Sequence, residues 1–212
     1  MKLFKRKHSH LTKDFQTFMN DYFTGHPMIR SRGEEDTSVW DRLKGDELEI
    51  AKNKILDELP SDHEYLMRAA SLFKDVRAIS KLEWTAINGI DVHSRCFAAK
   101  ILFDWIGYNE YFKNLDEVFK SDNQWSKTNL SFWIHGLDEE LALKYFWLAM
   151  NDTDSFVRFC AYTALENYYG RSKFLKDGSE IRYFTDEEVF NNKKLFNERQ
   201  EELKIIIKQW KV

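Results

Sequence analysis

The side chains with the most chemical potential in this chain are six histidines, two cysteines and two Asp–Arg pairs. His8, His10, His26, His63, His93 and His135 are scattered along the sequence. Only His8 and His10 stand close enough to share an ion, and two ligands fall short of the three or four that hold a stable metal. HExxH, CxxC, GxSxG and the GxxxxGK phosphate loop are absent from the sequence. No glycine-rich loop follows a strand-like run, so nothing cradles a phosphate. Asp91 with Arg95, and Asp154 with Arg158, have the spacing that puts both side chains on one helix face. Carboxylates paired in this way stay ionised and are poor proton donors near neutral pH, so both pairs read as structural. The expectation is a chain without catalytic residues, metal or cofactor: a non-enzyme.

The helices that carry these pairs are copies of each other. Asp154–Gly170 repeats Asp91–Gly107 at an offset of 63 positions. Asp154 falls on Asp91, Arg158 on Arg95, Ala161 on Ala98, Leu165 on Leu102 and Gly170 on Gly107. Each residue type has a helical task. Asp caps the first amides and suits the positive end of the helix dipole. The small Ala admits a neighbouring helix, Leu continues the buried stripe, and Gly closes the helix. Asp62 begins a looser copy 29 positions before Asp91, with Ala69 and Ala70 on Ala98 and Ala99. A degenerate copy lies near Asp122 to Gly136. The offset of 63 is then two periods of about 31, and such periods point to solenoids.

Over about residues 46–170 the pattern resembles HEAT repeats of the short bacterial kind. There the second helix of each pair begins with Asp, carries Val-Arg, then small residues, Leu and Gly. Asp154, Val157, Arg158, Ala161, Leu165 and Gly170 match, while Ser94 replaces the Val in the Asp91 copy. The resemblance implies an all-α fold, a right-handed α-α superhelix of about four helix pairs. It also implies that Asp91, Arg95, Asp154 and Arg158 tie adjacent repeats together. The pairs would be 46–59 with 62–73, 75–88 with 91–106, 109–120 with 125–135, and 138–150 with 154–169. Ser61 with Glu64 forms a capping-box pattern, and Pro60 separates the first two helices. Residues 1–45 would supply an N-terminal cap helix over Leu11 to Phe23 and then a loop over Met28 to Thr37. Residues 171–212 would supply a long loop over Arg171 to Phe184 and a capping helix begun by Thr185 and Glu188. Its stripe is Leu203, Ile206, Ile207 and Trp210. End helices of this sort cover the apolar faces that a solenoid leaves open.

Cys96 and Cys160, two periods apart, would stand about 20 Å from each other, which excludes a disulfide. Both read as small core residues of a reducing compartment. Lys and Arg number 32 against 35 Asp and Glu, a net charge of −3 that gives no nucleic-acid footprint. Residues 34–64 hold eleven acidic and four basic residues, about −7 in all. Met1–His8 is basic without a following apolar run, and no stretch is long and apolar enough for a membrane span. The expected location is the cytoplasm.

The functional expectation is a single-domain protein-binding module that uses a concave helical surface. Phe159, Tyr162, Glu166 and Tyr169 are its expected partner contacts, with Glu34, Glu35 and Asp36 from the acidic segment. Val157, Ala161, Ala164, Leu165 and Tyr168 would face the core. Small acidic HEAT-like proteins of bacteria include immunity proteins that neutralise toxins, so the resemblance points to a basic toxin domain as partner. The resemblance also covers HEAT-like DNA glycosylases acting on alkylated purines, for which Trp40-Asp41 and Trp133-Ile-His135 would supply aromatic and acidic groups. That alternative needs a basic groove, whereas the second helices carry Asp104, Glu166 and Asn167 beside Lys100, Arg95 and Arg158. HEAT-like bilin lyases lack any marked site here. A generic scaffold or adaptor is the remaining reading.

Overall fold

Short polar residues set where the helices begin, and the helices follow one another with little else between them. The computed structural model describes residues 11–171 and 178–210. Among them there is no strand, and the fold is all-α. His8 and His10, and the basic segment around them, lie outside the described residues. The chain divides into two compact units, Met1–Asn114 and Leu115–Val212.

In the first unit, α1 (Lys13–Met19) runs into a π-helical turn, Asn20–Thr24, and is followed by α2 (Pro27–Arg32) and α3 (Val39–Arg42). Then come α4 (Gly45–Glu58), α5 (Glu64–Phe73), α6 (Ile79–Asn88), α7 (Val92–Ile106) and the start of α8 (Tyr111–Lys120). The helix α4 pairs with α5, α6 pairs with α7, and α5 lies against α7. The N-terminal helix covers the first pair as expected: Thr12 donates from both its amide and its hydroxyl to Glu47 on α4, at 2.9 and 2.6 Å. Phe18, Tyr22, Trp40 and Phe73 form the aromatic core there. The Phe18–Trp40 and Trp40–Phe73 ring centroids are 5.3 and 5.0 Å apart.

The second unit takes in the end of α8, then α9 (Gln124–Thr128) and α10 (Leu130–Ile134). It continues with α11 (Glu139–Met150), α12 (Ser155–Tyr168), α13 (Gly178–Thr185), α14 (Glu187–Asn191) and α15 (Lys193–Trp210). Here α11 pairs with α12, and α12 also packs on α9, α10 and α13. Leu203 and Ile207 of α15 are buried.

The twin helices α7 and α12 are held in the same way. Asp91 accepts from the Ser94 amide at 2.9 Å, and Asp154 from the Phe156 amide at 2.7 Å. Arg95 donates to the carbonyl of Gly89 at 3.0 Å, and Arg158 to the carbonyl of Asp152 at 2.8 Å. Each arginine thus reaches the carbonyl six residues before it, in the turn that joins the two helices of its own pair. The equivalence at an offset of 63 extends to the partner atom. Burial follows the register as well: Ala98, Leu102, Ala161 and Leu165 are all buried.

The role expected of Asp91, Arg95, Asp154 and Arg158 is corrected in one respect. Asp91 and Asp154 cap their own helices, and the arginines first tie the two helices of one pair together. Arg158 also links onward, donating to the Thr185 carbonyl at 3.1 Å at the end of α13. In the first unit the pairs are also tied through Asp62, the start of the looser copy, and through residues the repeat pattern does not flag. Asp62 accepts from the Ile90 amide at 2.8 Å, the Ser94 hydroxyl donates to the Asp62 carbonyl at 3.2 Å, and His93 meets Glu64 at 2.7 Å.

Several boundaries differ from the expectations. Pro27 sits in the first turn of α2, where its missing N–H costs nothing, so part of the expected 28–37 loop is helix. The expected 171–184 loop contains α13, whose start at Gly178 no capping pattern announces. Ser61 and Glu64 do not form a capping box. The Ser61 hydroxyl accepts from the His63 amide, and Glu64 is engaged by His93. Thr185 likewise ends α13, its hydroxyl donating to the Ile181 carbonyl, while Asp186 caps α14. The expected helix over 125–135 is broken at Asn129 into α9 and α10. Gly107 and Gly170 take left-handed φ angles of 72° and 65° and close their helices as expected. Gly89 does not. Its φ is −53°, and it is glycine because of crowding: a Cβ there would meet the Thr85 carbonyl oxygen at 2.7 Å. Cys96 and Cys160 are both free thiols, as the register requires.

Arg158 is fully buried and satisfies three carbonyls, those of Asp152, Thr153 and Thr185. Arg158→Ala should therefore cost about 3 kcal/mol or more of stability in urea denaturation, because buried acceptors lose their donors. Arg95→Ala, at a half-buried position, should cost about 1 kcal/mol in the same measurement.

Candidate interaction surface

The outward face of α12 is set by the positions that the buried stripe leaves over. Val157, Arg158, Ala161, Tyr162, Ala164 and Leu165 face inward. Phe156, Phe159, Thr163, Asn167 and Gly170 recur at spacings of three and four on the opposite side, and none of them is buried. Phe156 is 57 % exposed, and its ring lies parallel to that of Phe159, with centroids 6.2 Å apart and planes 9° apart. Beside them opens a groove of about 370 Å³, lined by Ser155, Phe156, Phe159, Arg182, Thr185, Asp186 and Glu187. Its far wall is the junction of α13 and α14, and Arg158 anchors that wall from beneath through the Thr185 carbonyl. Burial lowers the Arg158 pKa, while Glu187, Asp152, Asp154 and Asp186 act in the opposite direction.

Of the four contacts expected on α12, Phe159 lies in this groove and Glu166 is half-buried. Tyr162 is fully buried, stacked on Phe184 at 5.5 Å, and is a core residue rather than a contact. The register contains the reason, since Tyr162 falls on Ala99, an inward position of the twin. Tyr169 is half-buried, and its hydroxyl donates to Glu139. Burial and that bond raise its pKa above the ordinary 10.0. Tyr168, expected in the core, is half-buried with its hydroxyl on the Leu137 carbonyl at 3.0 Å. Phe156, the most exposed ring of the set, is absent from the sequence expectation although it stands one helical turn before Phe159.

A second cavity, about 250 Å³, opens near the C-terminal end of α12 between Ser131, Ile134, His135, Gly136, Ala164, Asn167 and Tyr168. Ile134 and Ala164 are buried, whereas Ser131, His135 and Asn167 are exposed. The Asn167 amide reaches the Ser131 hydroxyl only at 3.5 Å, the outer limit of a hydrogen bond.

The acidic segment of the first unit is largely spent on internal pairing. Glu35 is buried against Arg68 at 2.9 Å and so is not a partner contact. Asp36 pairs with Arg42 at 2.7 Å, and its pKa is lowered by the Ser38 hydroxyl and by Arg42. Glu34 remains exposed. On α4, Asp46, Glu49 and Asp57 stay exposed at helical spacing, with Ile50 among them. A further apolar ridge, unmarked by the repeat pattern, consists of Trp84, Ile87 and Ile90, the last 86 % exposed.

The residues needed for a base-stacking site are separated or covered. Trp133 is fully buried and donates to the Ser126 carbonyl at 2.7 Å. Trp40 is 7 % exposed and donates to the Tyr22 hydroxyl at 3.1 Å. Neither offers a ring face to a nucleobase. Among the described residues no group of three or more His, Cys, Asp or Glu side chains is placed to hold a metal ion. No helix among them is long and apolar enough to cross a membrane.

No protein-family model matches the chain, and no curated protein or solved structure is similar to it. The site has to be read from its own geometry.

The contact between α5 and α7 is sensitive to acid. Burial opposes ionisation of Glu64, but the His93 bond and the charges of His93 and Arg68 prevail and hold its pKa below 4.5. A carboxyl whose pKa is depressed on folding adds stability above its unfolded value and loses it as pH falls through the folded one. The urea midpoint should therefore fall as pH drops below about 4.5, and Glu64→Gln should flatten that part of the profile. An unchanged profile in Glu64→Gln would mean that other carboxylates govern the acid limb.

Proposed function

We infer that the chain is a non-enzymatic protein-binding module. The observation that carries this reading is the parallel Phe156–Phe159 pair, with Phe156 exposed and Phe159 half-buried, beside a groove whose wall is anchored by a buried arginine. Large exposed rings on a rigid element are what binding hot spots are made of, because little conformational entropy is lost when they are covered. The reading includes HEAT-like repeats and a superhelical architecture. The shared register of Arg95 and Arg158 supports the repeats.

The exposed carboxylates Asp46 and Asp57 favour a basic partner, since complementary fields speed docking and select among partners. A toxin-neutralising immunity protein of the cytoplasm is the specific role that fits a small acidic helical module with a basic target. A scaffold or adaptor would use the same surface.

The test is calorimetric titration of the purified chain with the product of the gene beside its own, expected to be a basic protein. Binding at micromolar affinity or tighter is expected, and Phe156→Ala with Phe159→Ala should weaken it about tenfold or more. No complex at micromolar concentration rejects the toxin partner. Steeply salt-dependent binding to duplex DNA would overturn the protein-binding reading altogether.

A further inference from the structure

The two cavities of the second unit lie toward opposite ends of the exposed face of one helix, and they differ in chemistry. At the N-terminal end the groove offers two phenyl rings and the carboxylates of Asp186 and Glu187. Asp186 is occupied as the cap of α14, accepting from the Glu188 amide. Glu187 lines the same groove and caps nothing. Arg182 stands on the rim as its exposed cation. An aromatic surface beside a carboxylate suits an arginine side chain, whose stem packs on the rings while its guanidinium faces both ring and carboxylate.

At the C-terminal end the cavity is polar. Asn167 has a donor and an acceptor on one planar group, the pattern that matches a peptide amide. Among the described residues its side chain makes one hydrogen bond, the 3.5 Å approach to Ser131, so little of that is lost when a ligand replaces it. Ser131 and His135 add further hydrogen-bonding groups around the same space.

We propose that α12 binds an extended segment of the partner at two points: an arginine side chain in the Phe156–Phe159–Glu187 groove, and a backbone amide on Asn167. The inference rests on the protein-binding reading and gives it a recognition rule. Phe156 and Asn167 are eleven residues apart in one helix, roughly 16 Å at 1.5 Å per residue. An extended chain covers that distance in about five residues. Thr163 stands half-buried between the two points. Arg182 on the rim disfavours a second basic residue next to the first.

Fluorescence polarisation of labelled, otherwise Gly/Ser-rich hexapeptides on the full chain tests this. Peptides with one terminal arginine should bind, and replacing that arginine by alanine should weaken binding about tenfold, a step of roughly 1.4 kcal/mol. Glu187→Gln should weaken the arginine peptide severalfold and reduce its salt dependence. Asn167→Leu should weaken it severalfold, and N-methylation of the amide five positions on should do the same without further loss in Asn167→Leu. All of these substitutions are at exposed positions, and circular dichroism checks that each variant folds. Equal affinity for arginine and alanine peptides, or no effect of Glu187→Gln, overturns the proposal, as does the absence of binding at millimolar peptide. If the whole partner still binds while Glu187→Gln and Asn167→Leu leave its affinity unchanged, the two-point site falls and the protein-binding reading stands. If no partner binds, that reading falls with it.

Discussion

Each helix pair has to turn back on itself, and the turn leaves carbonyl oxygens that the helices cannot satisfy. The arginine in the first turn of the second helix solves this in both units. Arg95 reaches Gly89 and Arg158 reaches Asp152, in each case six residues back. An unsatisfied carbonyl in such a place costs as much as a lost hydrogen bond, so the arginine stabilises the closed pair. Its neighbour Asp is then free to cap the helix, and the Ala that follows lets the partner helix come close. At Gly89, which ends the first helix of its pair, a Cβ would strike the Thr85 carbonyl of that same helix.

The second unit draws more from this device than the first. Asp152 gathers Lys127 on its carboxylate at 2.7 Å, the Asp154 amide at 2.9 Å and Arg158 on its carbonyl. Arg158 passes the connection to Thr185, and its guanidinium lies 4.2 Å from the centre of the Phe190 ring. A chain of charged and polar groups thus runs under the α12 face and fixes α13 and α14 beside it. Rigid placement of the groove wall follows from a buried cation whose charge is shared among carbonyls, carboxylates and a ring. Support of this kind holds the outward face of α12 and the α13–α14 junction in one arrangement.

The correspondence between α7 and α12 was legible because its residues do local work. A capping Asp, a small residue where helices cross and a closing Gly are all required by helix geometry alone, so they recur at a readable offset. The inward positions of α12 follow from the same register, which puts Tyr162 on the buried Ala99 of α7 in spite of its aromatic type. Phe156 escaped notice because it stands at the second helical position, where no repeat rule applies. Glu35 stood in a run of carboxylates, and sequence gives no sign that Arg68, 33 residues on, takes it out of solvent.

Sequence by itself determined the all-helical class, the 63-residue register, the caps at Asp91 and Asp154 and the free state of the two thiols. These depend on spacing along one chain, and helical periodicity converts spacing into direction. Only the tertiary structure decided which carboxylates are paired, that His93 and Glu64 bridge two helix pairs, that Asn192 begins a separate α15, and that two cavities flank α12. Those features arise where elements distant in sequence meet. Their energy comes from desolvation and geometry at the meeting point, and neither is written in the local order of residues.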